Sequence, residues 1–146
     1  MNSANTIKFD LEKSIEILER TPFVIEAYLS GLSDDWLKNN EGSDSWSPFD
    51  ILGHLVHGEK TDWISRMEII LSESNEKKFE PFDRFAQLNE NQNKTIEELV
   101  EEFKLLRAKN IITLKSFQIS ESALQQEGMH PDLGTVTLKQ LLSTWV

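Results

Sequence analysis

The sequence predicts an all-α protein, an antiparallel four-helix bundle of the up-down-up-down type. Two observations carry this. Four stretches place apolar residues three and four apart, the period of a helix with one buried face. No stretch alternates apolar and polar residues with period two for long, so strands are not expected. Polar segments rich in Gly, Pro, Asn and Ser separate the four.

The first stretch runs from about Asp10 to Leu32, with Leu11, Ile15, Leu18, Ile25 and Leu29 in phase. Pro22 lies inside it. Proline lacks an N–H and crowds the preceding turn, so a kink or a fresh helix start is expected there. Gly31 suits the end, and Ser33-Asp34-Asp35-Trp36 can add one capped turn. The second stretch starts sharply. Ser47 is a cap, Pro48 suits the first helical position, and Asp50 completes a capping box. It should continue to about Leu71. On a wheel, Leu52, Val56, Trp63, Met67 and Ile70 form its core stripe. A polar loop containing Pro81 follows. The third stretch has Thr95 as cap and Glu98 as its partner, and keeps one face apolar from Ile96 to about Phe117. Gly128, Pro131 and Gly134 mark a long loop. The fourth opens on Thr137 with Gln140 three residues on, and its stripe is Leu138, Leu141, Leu142 and Trp145. That stripe is still strong at Val146, with no Gly, Asn or basic residue to close the helix. This favours a fourth helix cut short, so residues 1–146 read as one domain truncated at its C-terminus.

Composition narrows the function. A chain of 146 residues can bury a single core unaided. It has no cysteine, which excludes disulfides and thiolate metal sites. The opening residues show no basic stretch followed by an apolar run, and no apolar run approaches a membrane span. A cytoplasmic protein is the expectation. The net charge of −10, without a dense Lys/Arg patch, sets the chain against nucleic-acid backbones and anionic membranes. No phosphate-cradling Gly loop, nucleophile elbow or nucleotide fingerprint is present.

The chemistry-bearing residues lie in SWSPFDILGHLVHGEK, Ser45 to Lys60. Gly53 and Gly58 each cost about 1 kcal/mol relative to Ala inside a helix. His54 and His57 sit among them. His54 points nearly opposite the core stripe, and His57 lies about 60° from His54 on the wheel. Two exposed histidines on a polar face are one reading. The other notes that residues three apart can reach one metal ion, and that two glycines let a ligand or helix approach closely. His130, in the turn-rich GMHPDLG, reads as a turn or surface residue before a ligand. Asp62–Arg66 has the favourable spacing for an intrahelical pair, with Glu59–Arg66 the alternative. Glu59, if buried, is a candidate base, but a partly exposed ion pair is expected. The four tryptophans, Trp36, Trp46, Trp63 and Trp145, read as core.

WSPFDILGHLVHGEKTDWISRM, Trp46 to Met67, resembles the second-helix signature of the DinB/YfiT-like superfamily. HPDLGTVTLKQLLSTWV, His130 to Val146, resembles its lead-in to the fourth helix, and LERTP, Leu18 to Pro22, fits its first. The resemblance implies a four-helix bundle, often a homodimer, with a divalent metal such as zinc or nickel held by three histidines. His54 matches the helix-two ligand, while His57 would touch that ligand or carry a proton. The other two ligands form a His-x-x-x-His pair that usually follows the LLSTWV-like segment, and Val146 precedes that position. A metal in such a site lowers the pKa of a bound water or thiol to make a nucleophile. The implied functions are metal-dependent hydrolysis or transfer involving a low-molecular-weight thiol and a small-molecule substrate. Catalytic residues are not specified. Since a His54 ligand faces away from the core stripe, it must look into a side cleft between helices two and four, with Gly53 and Gly58 making room. The alternative is a non-catalytic bundle serving as a binding or dimerisation module.

Overall fold

The computed structural model describes residues 8–146, so the reading of the opening residues as free of a leader falls largely outside them. The helices are α1 (Leu11–Leu29), α2 (Asp34–Leu37), α3 (Pro48–Thr61), α4 (Trp63–Leu71), α5 (Ala86–Glu90), α6 (Ile96–Ser116) and α7 (Leu138–Trp145). Strands β1 (Glu127–His130) and β2 (Gly134–Thr137) form an antiparallel hairpin before α7.

The helix starts are set locally. The Ser47/Asp50, Thr95/Glu98 and Thr137/Gln140 capping boxes are all complete, each satisfying two backbone donors that a helix start leaves unpaired. Asp10 caps α1 by accepting from the Lys13 N–H at 3.0 Å. Ser33 precedes the expected single turn, but its side chain makes no capping bond.

Of the kink or fresh start expected at Pro22, the fresh start does not occur, and the continuity expected of the second helix is corrected. Helix α1 runs unbroken through Pro22 to Leu29. Proline's missing N–H deprives the Leu18 carbonyl of its usual donor. Arg107 of α6 supplies one instead, its Nη1 donating to Leu18 O at 3.0 Å. Conversely, the second helix is not continuous to Leu71 but breaks at Asp62. Asn110 of α6 donates Nδ2 to the Glu59 carbonyl at 2.8 Å, one turn before the break. A side chain inserted into the helical ladder is a recognised cause of such a break.

The expected four-helix bundle is formed by α1, α3–α4, α6 and α7. Its core has two apolar clusters. One joins the N-terminal half of α1 to α4, the end of α6 and α7, through Leu18, Met67, Ile70, Leu114 and Leu142. The other joins the C-terminal half of α1 to the starts of α3 and α6, through Leu52, Val56, Leu99 and Phe103. Helices α3–α4 and α6 therefore run in the same direction. Helix α1 runs against α6, with Lys104 on Glu26 and Lys115 on Glu19. Helix α7 runs against α4, with Trp145 stacked on Trp63 at 6.1 Å. The chain order is thus up-down-down-up where strict alternation was expected. Segment 72–95 makes this possible. Helix α6 has 21 residues and is about 30 Å long, a span the connection covers easily when extended.

Strands, not expected from the sequence, occur as the hairpin, which segment 77–79 joins: Phe79 N donates to Met129 O at 2.9 Å and Met129 N to Lys77 O at 2.6 Å. Gly128 permits this approach, since a Cβ there would lie 2.6 Å from the Phe79 ring and 2.9 Å from Ile70 Cγ1.

Between the two clusters lies a buried polar network. The Glu59 side chain is fully inaccessible and bonds Arg107 Nε at 2.7 Å, Asn110 Nδ2 at 2.8 Å and Trp145 Nε1 at 2.8 Å. Neither the partly exposed pair nor the Glu59–Arg66 alternative is found: Glu59 is buried and its partner is Arg107, while Asp62 pairs with Arg66. The tryptophans also divide. Trp145 is buried and Trp63 half-buried, but Trp36 is 72% exposed and Trp46 lines a surface cleft.

Candidate functional site

A cleft of about 730 Å³ opens between α3–α4, segment 81–84, the hairpin and α7. That size lies within the range of small-molecule sites. The side cleft expected between helices two and four is therefore present, with the hairpin as a further wall.

His54 projects from α3 into this cleft. It is half-buried, not exposed on a polar face. Its ring lies 5.1 Å from the Trp46 ring and 5.1 Å, edge-on, from Phe82. Its Nδ1 is buried and has no hydrogen-bond partner among the described residues. Burial lowers its pKa, the charges of His57 and Arg84 lower it further, and Asp62 opposes them. The imidazole is thus held neutral at pH 7, the form that can ligate a metal or accept a proton.

His57 is one turn along, but is buried and does not line the cleft. It packs against the other side of the His54 neighbourhood: Phe82 touches its ring at 5.1 Å, and Glu90 Oε2 of α5 lies 3.7 Å from Nδ1. Helix α5 reaches this position because of Gly53. A Cβ there would stand 2.5 Å from Gln87 Oε1 and 2.8 Å from Asn91 Nδ2. Gly53 therefore makes room for α5 and not for the cleft, while Gly58 does line it.

Asp62 and Arg66 form an ion pair on the cleft floor. Burial pushes the Asp62 pKa up, against the pull of Arg66 and of His130, His54 and His57. His130 also lines the cleft. Its Nδ1 accepts the Asp132 and Leu133 N–H groups at 3.0 and 3.1 Å, holding the hairpin turn. That tautomer places its proton on Nε2, leaving no ring lone pair for a metal. Among the described residues, no three His, Cys, Asp or Glu side chains come together as a metal site.

Three cleft residues were not singled out by the sequence. Trp46 reads as core, and Phe82 and Arg84 lie in a segment that reads as a polar loop. Their signal is PFDRF, Pro81 to Phe85, where two aromatics and an arginine crowd an otherwise polar stretch.

No curated protein matches the sequence. The sequence profile of the DinB superfamily matches residues 17–146. Among solved structures, the fold is similar to YfiT from Bacillus subtilis, described as a probable metal-dependent hydrolase with an unusual four-helix bundle topology. The TM-score is 0.78 at 16% identity, over 99% of this chain and 83% of that one. At that identity the likeness speaks for the fold alone. Among the described residues no helix is long and apolar enough to cross a membrane.

Proposed function

The chain belongs to the DinB superfamily, and from that premise we propose that the cleft is the reaction site of a metal-dependent enzyme acting on a small molecule. Hydrolysis, or transfer to a low-molecular-weight thiol, is the reaction class. His54 is the metal ligand that the described residues contribute. The observation that supports this is its neutral imidazole, aimed into a cleft of ligand size with a buried Nδ1 that no other described residue engages.

Residues 8–146 do not complete the site by themselves, since no three candidate ligands converge among them. Gln140, Leu141 and Thr144 form the face of α7 that lines the cleft. A helical continuation of α7 would bring its next residues on that face to the same side. The two further histidines belong there in this reading.

Metal titration tests it. A protein ending at Val146 is expected to bind well under one zinc or nickel ion per chain, because one imidazole cannot replace three ligands. A protein whose α7 continues through a His-x-x-x-His pair is expected to bind one ion. His54→Ala should abolish that binding, and His57→Ala should weaken it by about 10–100-fold at most. Equal loss from both substitutions would mean that the two histidines chelate together. Retention of the ion in His54→Ala would remove the proposal.

A second reading, a module that pairs with another copy of itself, draws on the outer face of α1. Phe23, Val24 and Tyr28 are exposed there in one patch, and contiguous exposed apolar surface favours association. On this reading sedimentation equilibrium should give a dimer that Tyr28→Glu dissociates. A monomer at all concentrations would rule it out.

A further inference from the structure

The cleft holds two guanidinium groups, and they differ in how they are used. That of Arg66 is engaged: it pairs with Asp62, donates to Glu80 O at 3.4 Å and lies 5.2 Å from the Phe79 ring centre. That of Arg84 makes no ion pair or hydrogen bond among the described residues. It is exposed to solvent and rests on two rings, 5.4 Å from the Trp46 ring centre and 5.0 Å from that of Phe85. Stacking fixes the plane of a guanidinium without using any of its five N–H donors. The chain carries 25 acidic residues against 15 basic ones, so an arginine left without an acidic partner is not a product of scarcity.

The surroundings narrow what Arg84 can hold. Trp46 touches both Arg84 and His54, so a group bound at Arg84 lies one indole away from the imidazole. Asp62 on the floor is offset by Arg66. Asp132 on the hairpin turn also lines the cleft and has no cationic partner among the described residues, which disfavours a dianion such as phosphate. Between these groups the walls are apolar, from Phe82, Val136 and Leu141. A guanidinium fork over an aromatic ring suits a planar carboxylate.

We propose that Arg84 and Trp46 form a carboxylate subsite at the mouth of the cleft, selecting a small monocarboxylic acid whose apolar body lies along the cleft toward His54. This rests on the cleft being the reaction site, but it needs no metal and can be tested without one.

The probes are 3-phenylpropionate, its neutral amide and inorganic phosphate. Titration calorimetry gives the affinities, and the shift of the Trp46 indole N–H resonance gives the location. The acid is expected to bind at least about tenfold more tightly than the amide, a difference of about 1.4 kcal/mol. Arg84→Gln should erase that preference by lowering the acid's affinity at least about tenfold more than the amide's. Arg84→Lys should restore it only in part, because a lysine keeps the charge and loses the fork. Equal affinity for acid and amide, tighter binding of phosphate, or a preference that survives Arg84→Gln would each overturn the subsite. A preference that depends on Arg84, found beside metal binding that does not depend on His54, would sink the metal reading and leave the subsite standing. Metal binding that depends on His54 without any acid preference would do the reverse.

Discussion

Replacing Arg107 by Leu is expected to destabilise the protein by about 3–5 kcal/mol, the usual cost of stripping a buried carboxylate of its cation. Glu59 would remain inaccessible with only Asn110 and Trp145 as donors, and the Leu18 carbonyl would lose the donor that stands in for Pro22. A domain of this size has about 5–15 kcal/mol in all, so the change removes a large part of its stability. Urea denaturation monitored by far-UV circular dichroism measures it. The paired change Glu59→Leu with Arg107→Leu should recover much of the loss, because no charge is then left buried. A single-variant loss below about 1 kcal/mol, in the range of exposed pairs, would show that water reaches the network and that it is not buried.

The second large effect is expected in α7. Leu142 is wholly inaccessible and Leu141 nearly so. Cutting a core leucine to alanine costs about 2–5 kcal/mol, as transfer energy plus the cavity left behind. Leu142→Ala should therefore lower the melting temperature by several degrees or more, with Leu141→Ala close behind. Ser143, the next residue, is exposed, and Ser143→Ala should stay within about 0.5 kcal/mol of the parent. If all three variants melt together with the parent, α7 does not close the bundle.

Both predictions turn on contacts of different range, and range explains what the sequence disclosed. The three capping boxes were readable because each is settled within four residues. The α7 stripe was readable because its period is local, and all four of its members are buried. The hairpin was not, since four-residue strands give no measurable alternation. Glu59 reads as half of a partly exposed ion pair because its partners, Arg107 and Trp145, are 48 and 86 positions away. The break at Asp62 has the same origin in Asn110. His54 is legible in its motif, and a side cleft follows from its facing away from the core stripe; its partial burial is not, because segment 81–84 folds back with Phe82 and Arg84 to form one wall. Gly53 was correctly marked as a place of close approach, but the element that approaches is α5.

Pro22 has a consequence for how the helices find their alignment. Along most of α1 every carbonyl is satisfied within the helix, so sliding α1 along α6 by one turn, about 5.4 Å, would exchange one set of apolar contacts for a similar one. Leu18 is the exception, because its carbonyl must be met from outside, and Arg107 meets it. A slipped pairing would leave that carbonyl unmatched in an apolar setting, at a cost of about 1–3 kcal/mol, and would draw the arginine off Glu59 as well. The proline thus works as an index notch, marking the one offset at which two otherwise permissive surfaces seat together.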